Sequence, residues 1–254
     1  MATLAVFNPK GGVGRTTTAL NLLAAIARRG ERPLAIDLDP LAQLSRVFDA
    51  QPKRADESIV ALFTQNRPLA DIAQFTRSGV LLCPAHPDLA RLDALIGRGV
   101  DAITRLARAL RQADGTSGPV VIDCDRLLGT ATLNAVAAAD LLLVPVSCDY
   151  LSAVAAVGMG RAVDALAPAL KRRVGRRYLL TRWDAMRPMA EAVAGRLAAE
   201  VPADEICATR IRECASVAES PALGLDVFRH APESEGAADY EALRAELADG
   251  GFLR

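Results

Sequence analysis

The first glycine-rich segment of the chain reads Lys10-Gly11-Gly12-Val13-Gly14-Arg15-Thr16-Thr17. A short apolar run at residues 4–7 precedes it, and an alanine-rich stretch with helical periodicity follows it as far as Arg29. Glycines let the backbone turn sharply and aim several N–H groups inward, and the positive dipole end of the following helix faces the same point. The segment predicts a phosphate-binding loop whose contact residues are Gly11, Gly12, Val13, Gly14, Arg15, Thr16 and Thr17.

The loop departs from the common pattern GxxxxGK[ST] at two positions. Pro9 stands where the first glycine of that pattern would be, and Arg15 replaces its lysine. In exchange, Lys10 precedes the paired glycines. Thr16 is placed to ligate the Mg²⁺ that accompanies a nucleoside triphosphate. A glycine-rich turn without a ligand is the alternative, which the strand before the loop and the hydroxyl pair and helix after it disfavour.

Length and composition favour a single α/β domain over residues 1–254. The 30 basic and 30 acidic side chains cancel, so net charge gives no argument for binding to nucleic acid or to a membrane. No run of 18 apolar residues and no secretory signal occurs, and we expect a cytoplasmic protein. Five cysteines at wide spacings, without a CxxC pair, indicate buried side chains in a reducing compartment rather than a metal site.

Apolar runs alternate with helical stretches along the chain. Strands are predicted at residues 4–7, 33–37, 80–83, 120–123, 141–146 and 178–181. Helices are predicted at residues 16–29, 100–112, 130–138, 151–170, 189–200 and 237–247. Most strand runs are continuously apolar, as expected when helices cover both faces of a sheet. The predicted fold class is α/β, with a mostly parallel, doubly wound sheet flanked by helices and with ligands at the carboxyl ends of its strands.

Carboxylates follow two of these strands. Asp37 and Asp39 come at the end of the second strand, where one or both can act on Mg²⁺ or on an attacking water. A simple strand-to-loop turn is the alternative there, because Asp and Pro are common turn residues. Asp123 ends the run Val120-Val121-Ile122, which is a Walker B pattern and predicts a carboxylate in the magnesium shell.

Several segments together resemble the ParA, Soj and MinD group of ATPases. The loop is similar to their deviant motif KGGxGK[ST] except at Arg15, and residues 37–41 are similar to DxDPQ with Leu41 in place of glutamine. Residues 122–152 resemble the ParA stretch IDCPPSLGxLTxNALxAAD and the strand after it, with Asp125-Arg126 where paired prolines would be. Further similarities lie in order at residues 84–93, 178–186 and 219–247, so the resemblance spans nearly the whole chain.

This resemblance implies a P-loop NTPase fold of the SIMIBI or MinD-like type, with ATP and Mg²⁺ as cofactors. It assigns catalytic roles to Lys10, which reaches across a nucleotide-sandwich homodimer to the partner's phosphates, and to Asp39, which positions the hydrolytic water. The metal-binding residues are then Thr16 and Asp123. The implied function is an ATP-dependent dimer on nonspecific DNA that positions a plasmid, a chromosome or another cargo, together with a ParB-like or other adaptor protein.

The positions that differ from the family surround the expected nucleotide. A guanidinium is longer than an ammonium, planar and forked, so Arg15 should displace the γ-phosphate. We therefore expect ATP hydrolysis to be weak, lost or dependent on a partner, since a displacement of ~1 Å costs about a hundredfold in rate. On the adenine side the chain reads Ile211-Arg212-Glu213-Cys214 where the family has IPRN, which makes base recognition less secure than phosphate recognition.

Basic residues are densest between positions 171 and 187, in the part of the sequence where the DNA-contacting arginines of the family fall. A solvated helix-to-strand connection is the alternative interpretation, because this chain is rich in arginine throughout. Charge clustering favours contact with DNA, and hence association with the nucleoid. The candidate DNA-binding residues are Arg172, Arg173, Arg176, Arg177, Arg187 and Arg212.

A second class of function is a catalytically degenerate scaffold or regulator of a membrane or polysaccharide-export complex, of the cellulose-synthase-associated type. The altered loop favours this alternative, whereas Asp39 and the basic region favour DNA partition. Recruitment to a membrane in the manner of MinD, and direct membrane insertion, are not expected, because residues 240–254 carry more acid than base and form no basic amphipathic helix. A metabolic amidoligase of the same superfamily finds no support in a nucleophile or substrate motif.

Overall fold

The computed structural model of the chain describes residues 2–113 and 118–253. Within them one sheet contains the strands β1 Thr3–Val6, β2 Leu34–Leu38, β3 Gln74–Phe75, β4 Leu81–Cys83, β5 Val120–Cys124, β6 Leu141–Ser147, β7 Gly175–Trp183 and β8 Ile206–Arg212. Their order across the sheet is β3-β4-β2-β5-β1-β6-β7-β8, and neighbours are parallel except β3 with β4. The predicted α/β class with a mostly parallel sheet is confirmed.

Helices connect the strands and cover the sheet. The α-helices are α1 Arg15–Ala27, α2 Gln43–Val47, α3 Val60–Gln65, α4 Leu92–Ile96, α5 Val100–Ile103, α6 Arg105–Gln112, α7 Thr130–Ala138, α8 Tyr150–Asp164, α9 Ala167–Leu170, α10 Pro188–Glu200, α11 Ala215–Glu219, α12 Val227–His230 and α13 Glu235–Asp249. Short 3-10 helices occupy Ala55–Glu57, Leu69–Asp71, Pro87–Arg91, Ala203–Glu205 and Ser220–Leu223. In the part of the chain that the structure describes, no helix combines the length and the apolar character needed to cross a membrane.

The core consists of two apolar layers, one on each face of the sheet. Residues of β1 alternate between them, since Ala5 packs in one layer and Leu4 and Val6 pack in the other. Side chains of α7, α8 and α10 complete the first layer, and side chains of α1 and α13 complete the second. Because both faces are covered, the central strands are buried at every position, which explains their continuous apolar sequence.

Two predicted helices are each divided in the structure. The stretch predicted at residues 100–112 forms α5 and α6, which meet at Thr104. The Thr104 hydroxyl donates to the carbonyl of Val100 at 2.8 Å, and such local side-chain bonds compete with the helical pattern. The stretch predicted at residues 151–170 forms α8 and α9, because Pro168 has no N–H to donate to the carbonyl of Asp164, where α8 ends.

Two strands of the sheet were not expected from the sequence. β3 is only two residues long, and β8 is an edge strand in which exposed or half-exposed polar residues separate the buried Cys207 and Ile211. Backbone N–H groups of β8 donate hydrogen bonds to carboxylates of α13. Glu246 accepts the backbone N–H groups of Ala208 and Thr209, both at 2.8 Å, and Asp239 accepts that of Arg212 at 2.9 Å.

Two side chains, one after β1 and one in β7, hold the glycine-rich loop in place. The buried Asn8, just after β1, donates from Nδ2 to the carbonyl of Pro145 in β6 at 2.7 Å. Its Oδ1 accepts the backbone N–H of Lys10 at 2.9 Å. From β7, the Thr181 hydroxyl donates to the carbonyl of Val13 at 2.9 Å. Both ends of the loop are thus bonded to strands β6 and β7.

Replacement of Asn8 by Ala should lower the free energy of unfolding by about 2 kcal/mol. The change removes two hydrogen bonds and leaves the buried carbonyl of Pro145 without this donor, and an unsatisfied buried polar group costs about 1–3 kcal/mol. Urea denaturation monitored by circular dichroism measures the effect. Gln65→Ala, at an exposed position of α3, is the matched control and should change stability by less than about 0.5 kcal/mol. Equal stability of the two variants would contradict this account of the loop.

Candidate functional site

The backbone between β1 and α1 leaves the amino end of α1 open. Gly12 and Gly14 have φ angles of +79° and +88°, which residues with a side chain rarely adopt. Gly14 is the N-cap of α1, and neither a side-chain cap nor an acidic residue is present in the first turn of this described helix. Such a helix end carries unsatisfied N–H groups and a partial positive charge. The loop therefore has the backbone conformation and polarity to hold an anion.

The Arg15 side chain is bonded to the loop itself. Its Nη1 donates to the carbonyls of Asn8 at 2.8 Å and Lys10 at 2.9 Å, and its Nε donates to the carbonyl of Cys124 at 3.1 Å. The guanidinium thus joins the start of the loop to the end of β5. A lysine ammonium, which is a compact point charge, cannot reproduce this forked set of bonds.

The most unusual group beside the loop is the carboxylate of Asp123, at the end of β5. The side chain is fully buried, and neither oxygen forms a well-placed hydrogen bond with residues 2–113 and 118–253, although the Thr16 hydroxyl lies close enough to affect its pKa. Burial, followed by the negative charge of Asp37, raises the pKa of Asp123 well above its usual range, although the Thr16 hydroxyl and the Arg15 charge oppose this rise. A buried and unpartnered carboxylate is costly unless a cation is supplied.

These residues fit a magnesium ion that arrives with a nucleotide. Mg²⁺ is usually held by one or two carboxylates together with phosphate oxygens and water, rather than by a cage of protein ligands. In agreement, the described residues contain no group of three or more His, Cys, Asp or Glu side chains arranged to hold a metal on their own. Thr16 and Asp123 are the residues that would hold the ion, with phosphates completing its shell.

The two carboxylates after β2 are in different environments. Asp37 accepts hydrogen bonds from the Ser45 hydroxyl at 2.6 Å, the Ser45 N–H at 2.9 Å and the Asp39 N–H at 3.1 Å. Burial is the main reason that the pKa of Asp37 rises to about 6, and these bonds moderate the rise. Asp37 therefore fixes the position of α2. Of the two carboxylates that the sequence offered for contact with Mg²⁺ or with the attacking water, only Asp39 remains a candidate.

Asp39 lies at the wall of an open cleft. One oxygen accepts the N–H of Leu41 at 2.8 Å, and the other accepts no hydrogen bond from the residues that the structure describes. Burial raises the pKa of Asp39, Asp125 adds to the rise, and Arg15 and Arg126 oppose it. A carboxylate with one fixed and one unoccupied oxygen suits the predicted role of orienting a water molecule.

Two cavities border the loop on opposite sides. The larger, about 770 Å³, is lined by Gly11, Gly12, Arg15, Asp39 and Arg126, among others. The smaller, about 300 Å³, is lined by Gly12, Gly14 and Thr17 on one side and by residues 211–214 on the other. The altered segment at the end of β8 thus faces the loop, and its place on the adenine side stays a prediction. Apolar side chains in this smaller cavity, including Ile211, Val217 and Tyr240, suit a flat ring.

Among the residues that the structure describes, no acidic side chain forms an ion pair with the Lys10 ammonium. Its Nζ donates only a long hydrogen bond, 3.5 Å, to the carbonyl of Gly11, and it forms no ion pair within the described ranges. Its role across a dimer stays a prediction.

The six arginines predicted to bind DNA lie at two separate edges of the sheet. β7 has nine residues, which at about 3.3 Å per residue places its ends roughly 26 Å apart. Near the amino end, Arg172 donates to the carbonyls of Ala137 and Ala139, and Arg176 forms ion pairs with Asp164 and Glu205. Arg173 is exposed at this edge, and the Arg177 guanidinium lies 5.2 Å from the ring centre of Phe252.

The carboxyl edge, which also carries the loop, holds the other two. Arg187 is 66% exposed and forms an ion pair with Asp184 at 3.0 Å. Arg212 is bonded to Asp239 at 2.7 Å and to Glu235 at 2.9 Å. Of the six, Arg173 and Arg187 are therefore the most available for a ligand, and DNA binding by this set stays a prediction.

Sequence reasoning gave no role at the nucleotide site to two arginines that line the cavities. Arg182, at the end of β7, lines the smaller cavity and bonds Glu213 at 2.7 Å. Arg126 lines the larger one and lies three residues after Asp123. Arg126 stands where the family stretch quoted above has a proline, and that departure is the signal that singles it out.

Comparison with known proteins identifies the family to which the chain is similar. The AAA domain family matches residues 1–174. The chromosome-partitioning ATPase Soj of Thermus thermophilus is 34% identical over 248 residues, which cover 96% of this chain and 94% of that protein. The chromosome partitioning protein ParA of Caulobacter vibrioides is 31% identical, with 96% and 92% covered. The crystal structure of cobyrinic acid a,c-diamide synthase from Mycobacterium smegmatis with bound ADP and magnesium has a TM-score of 0.83 and 26% identity, covering 99% of this chain and 96% of that chain.

The parallel sheet, the glycine loop at the amino end of α1 and the carboxylates after β2 and β5 define a P-loop ATPase fold. Together with these matches, they show that the chain belongs to the ParA/Soj/MinD family of P-loop ATPases.

Replacement of Asp123 by Asn should stabilise the nucleotide-free protein by about 1–3 kcal/mol at neutral pH, because it removes an unpartnered buried anion. The pKa of Asp123 is raised in the folded state, so its ionisation destabilises the fold as the pH rises above the usual 3.8. The gain from Asp123→Asn should therefore be small near pH 4 and grow towards neutrality. Urea denaturation across this pH range, without nucleotide and with a metal chelator present, measures it.

The exposed Asp71→Asn change is the matched control and should alter stability little at any pH. An Asp123→Asn protein that is less stable than the native chain at pH 7 would show that the carboxylate is satisfied in the fold.

Proposed function

We propose that this protein binds MgATP and forms an ATP-dependent dimer on nonspecific DNA, where it positions a plasmid, a chromosome or another cargo with weak or partner-dependent hydrolysis. The single observation that carries nucleotide binding is the fully buried Asp123 carboxylate, which has no partner among the described residues and lies beside the open amino end of α1. That combination suits a polyanion and its cation together.

In this proposal the nucleoside occupies the smaller cavity, which is the more apolar in its lining residues, and the phosphates follow the loop towards the larger cleft. Magnesium would supply charge neutralisation between the phosphates, with Thr16 and Asp123 as its protein ligands. The open oxygen of Asp39 accepts a hydrogen bond from the attacking water and so orients it. The fixed Leu41 N–H bond prevents that carboxylate from rotating away.

Dimerisation is supported by the surface around the larger cleft. Leu41 and Leu127, which line it, are each 63% exposed, and exposed apolar side chains beside a functional cleft favour an interface. The Lys10 ammonium, which forms no ion pair with a described residue, suits a role towards the nucleotide of a second copy. A ParB-like or other adaptor protein is the proposed partner of the dimer, in line with the partition proteins that this chain resembles.

Weak hydrolysis is supported by the hydrogen bonds of Arg15. Three of its N–H groups are directed to carbonyls of Asn8, Lys10 and Cys124, and are not directed towards the open side of the loop. The same observation favours the second candidate function, a catalytically degenerate scaffold of a membrane or polysaccharide-export complex. The two candidates differ in whether any phosphate is released and in whether DNA is bound.

Replacement of Arg15 by Lys should raise the rate of phosphate release about tenfold to a hundredfold, because an ammonium cannot keep the carbonyl bonds of the guanidinium and is free to turn towards the phosphates. Colorimetric assay of phosphate release from MgATP, with calorimetric titration to confirm that both proteins bind the nucleotide, measures the effect. Arg29→Lys, in an exposed ion pair beyond α1, is the matched control and should leave the rate unchanged. Brisk turnover by the native chain that the Arg15→Lys change does not alter would refute slow hydrolysis.

Binding to duplex DNA in the presence of ATP should weaken steeply with salt. Arg187→Ala should reduce the affinity for all sequences alike and lower the slope of log affinity against log salt by about one, as expected for a phosphate contact. Fluorescence anisotropy with a labelled duplex at several salt concentrations measures both quantities.

Arg161→Ala, at a 78% exposed position of α8, is the control for loss of a surface charge and should leave DNA binding unchanged. No retention of the native chain on DNA at low salt with ATP present would count against DNA partition and in favour of the scaffold.

A further inference from the structure

The larger cleft contains an arginine that the mechanism above does not use. Arg126 follows β5 in the segment Asp125-Arg126, where the ParA stretch that this segment resembles has paired prolines. It lines the cleft together with the backbone of Gly11 and Gly12 and the carboxylate of Asp39. The proposed path of the phosphates ends in this cleft, so Arg126 borders the position of the last phosphate.

Arg126 is also the uncommitted cation of the cleft wall. Its side chain is exposed and forms no ion pair within residues 2–113 and 118–253, and its backbone N–H donates to Asp125 Oδ1 at 2.6 Å. Arg98, which lines the same cleft, is by contrast held in an ion pair with Asp93. A guanidinium without an acidic partner keeps its donors available for an incoming anion.

The cations of the loop are less available. Nε and Nη1 of Arg15 are bonded to backbone carbonyls, and the Lys10 ammonium lies at the rim of the loop against the carbonyl of Gly11. The loop lysine that binds terminal phosphates in the common pattern is absent. Another positive charge in the cleft would replace the phosphate contact that is lost with this lysine.

Neighbouring charges agree with a position of Arg126 close to this end of the site. Arg126 and Arg15 both oppose the rise in the pKa of Asp39 that burial produces, so the charge of Arg126 acts on the carboxylate that orients the water. The negative group beside it, Asp125, acts in the opposite direction on the same carboxylate. An anion that binds to Arg126 is therefore also repelled by the neighbouring carboxylate of Asp125.

We propose that Arg126 binds the γ-phosphate of ATP within the same chain and so makes the site distinguish a nucleoside triphosphate from a diphosphate. This inference rests on the proposed nucleotide binding and adds to it a residue that recognises the γ-phosphate. A guanidinium forms two parallel, charge-assisted hydrogen bonds with a phosphate, which gives both affinity and orientation. ADP lacks the group to which these bonds are made.

Isothermal titration of the full chain with MgADP and with the magnesium complex of the non-hydrolysable analogue AMP-PNP tests this proposal. Arg126→Ala should weaken AMP-PNP binding about tenfold to a hundredfold and ADP binding less than about twofold. Arg126→Lys should recover part of the loss, because it restores the charge without the fork. Asp125→Asn should keep or increase the preference for AMP-PNP, since it removes the repulsive carboxylate. Arg98→Ala, the matched control for loss of a cleft arginine, should affect both nucleotides alike.

An Arg126→Ala protein that loses affinity equally for both nucleotides, or for neither, would overturn the role of Arg126 and leave nucleotide binding intact. A native chain that binds neither nucleotide would overturn the proposed function as well. The two failures are therefore distinguished by the native protein alone.

Discussion

The site is organised around a buried carboxyl group whose ionisation the protein interior disfavours. The Asp123 carboxylate lies at the end of a central strand, where burial removes water and where no described residue donates a hydrogen bond to it. No residue that the structure describes fully offsets the cost of ionising this group, whereas an incoming cation does. Mg²⁺ binds proteins together with phosphate groups, which themselves need a site for an anion. The open amino end of α1 and the glycine loop before it provide that site.

The sequence predicted the central strands well because covered parallel strands leave a continuous apolar signature. β1, β2, β5 and β6 lie within one or two residues of their predicted positions. β8 lacked that signature, because an edge strand exposes part of its length and its polar residues interrupt the apolar pattern. Likewise, α5 and α6 read as one helix because periodicity does not register the hydroxyl of Thr104, which bonds a carbonyl and ends the first of them.

Within the site, motifs identified the residues but not their partners. The loop, Asp39 and Asp123 were placed by strand ends that meet at one edge of the sheet, which topology guarantees. Nothing in the sequence indicated that Asp37 is engaged by Ser45, or that the Arg15 guanidinium turns towards loop carbonyls. The basic region between residues 171 and 187 looked continuous along the chain, yet an extended strand runs through it and separates its two ends.

The carboxylates that α13 directs at β8 have a consequence for the behaviour of the protein in concentrated solution. An edge strand with free N–H groups is a template on which another chain can add a strand, and this begins aggregation. Glu246 and Asp239 occupy three of those donors on β8. The helix α13 thus blocks the addition of a strand from another molecule at β8. Self-association through this edge of the sheet is therefore disfavoured, and other surfaces remain for specific contacts.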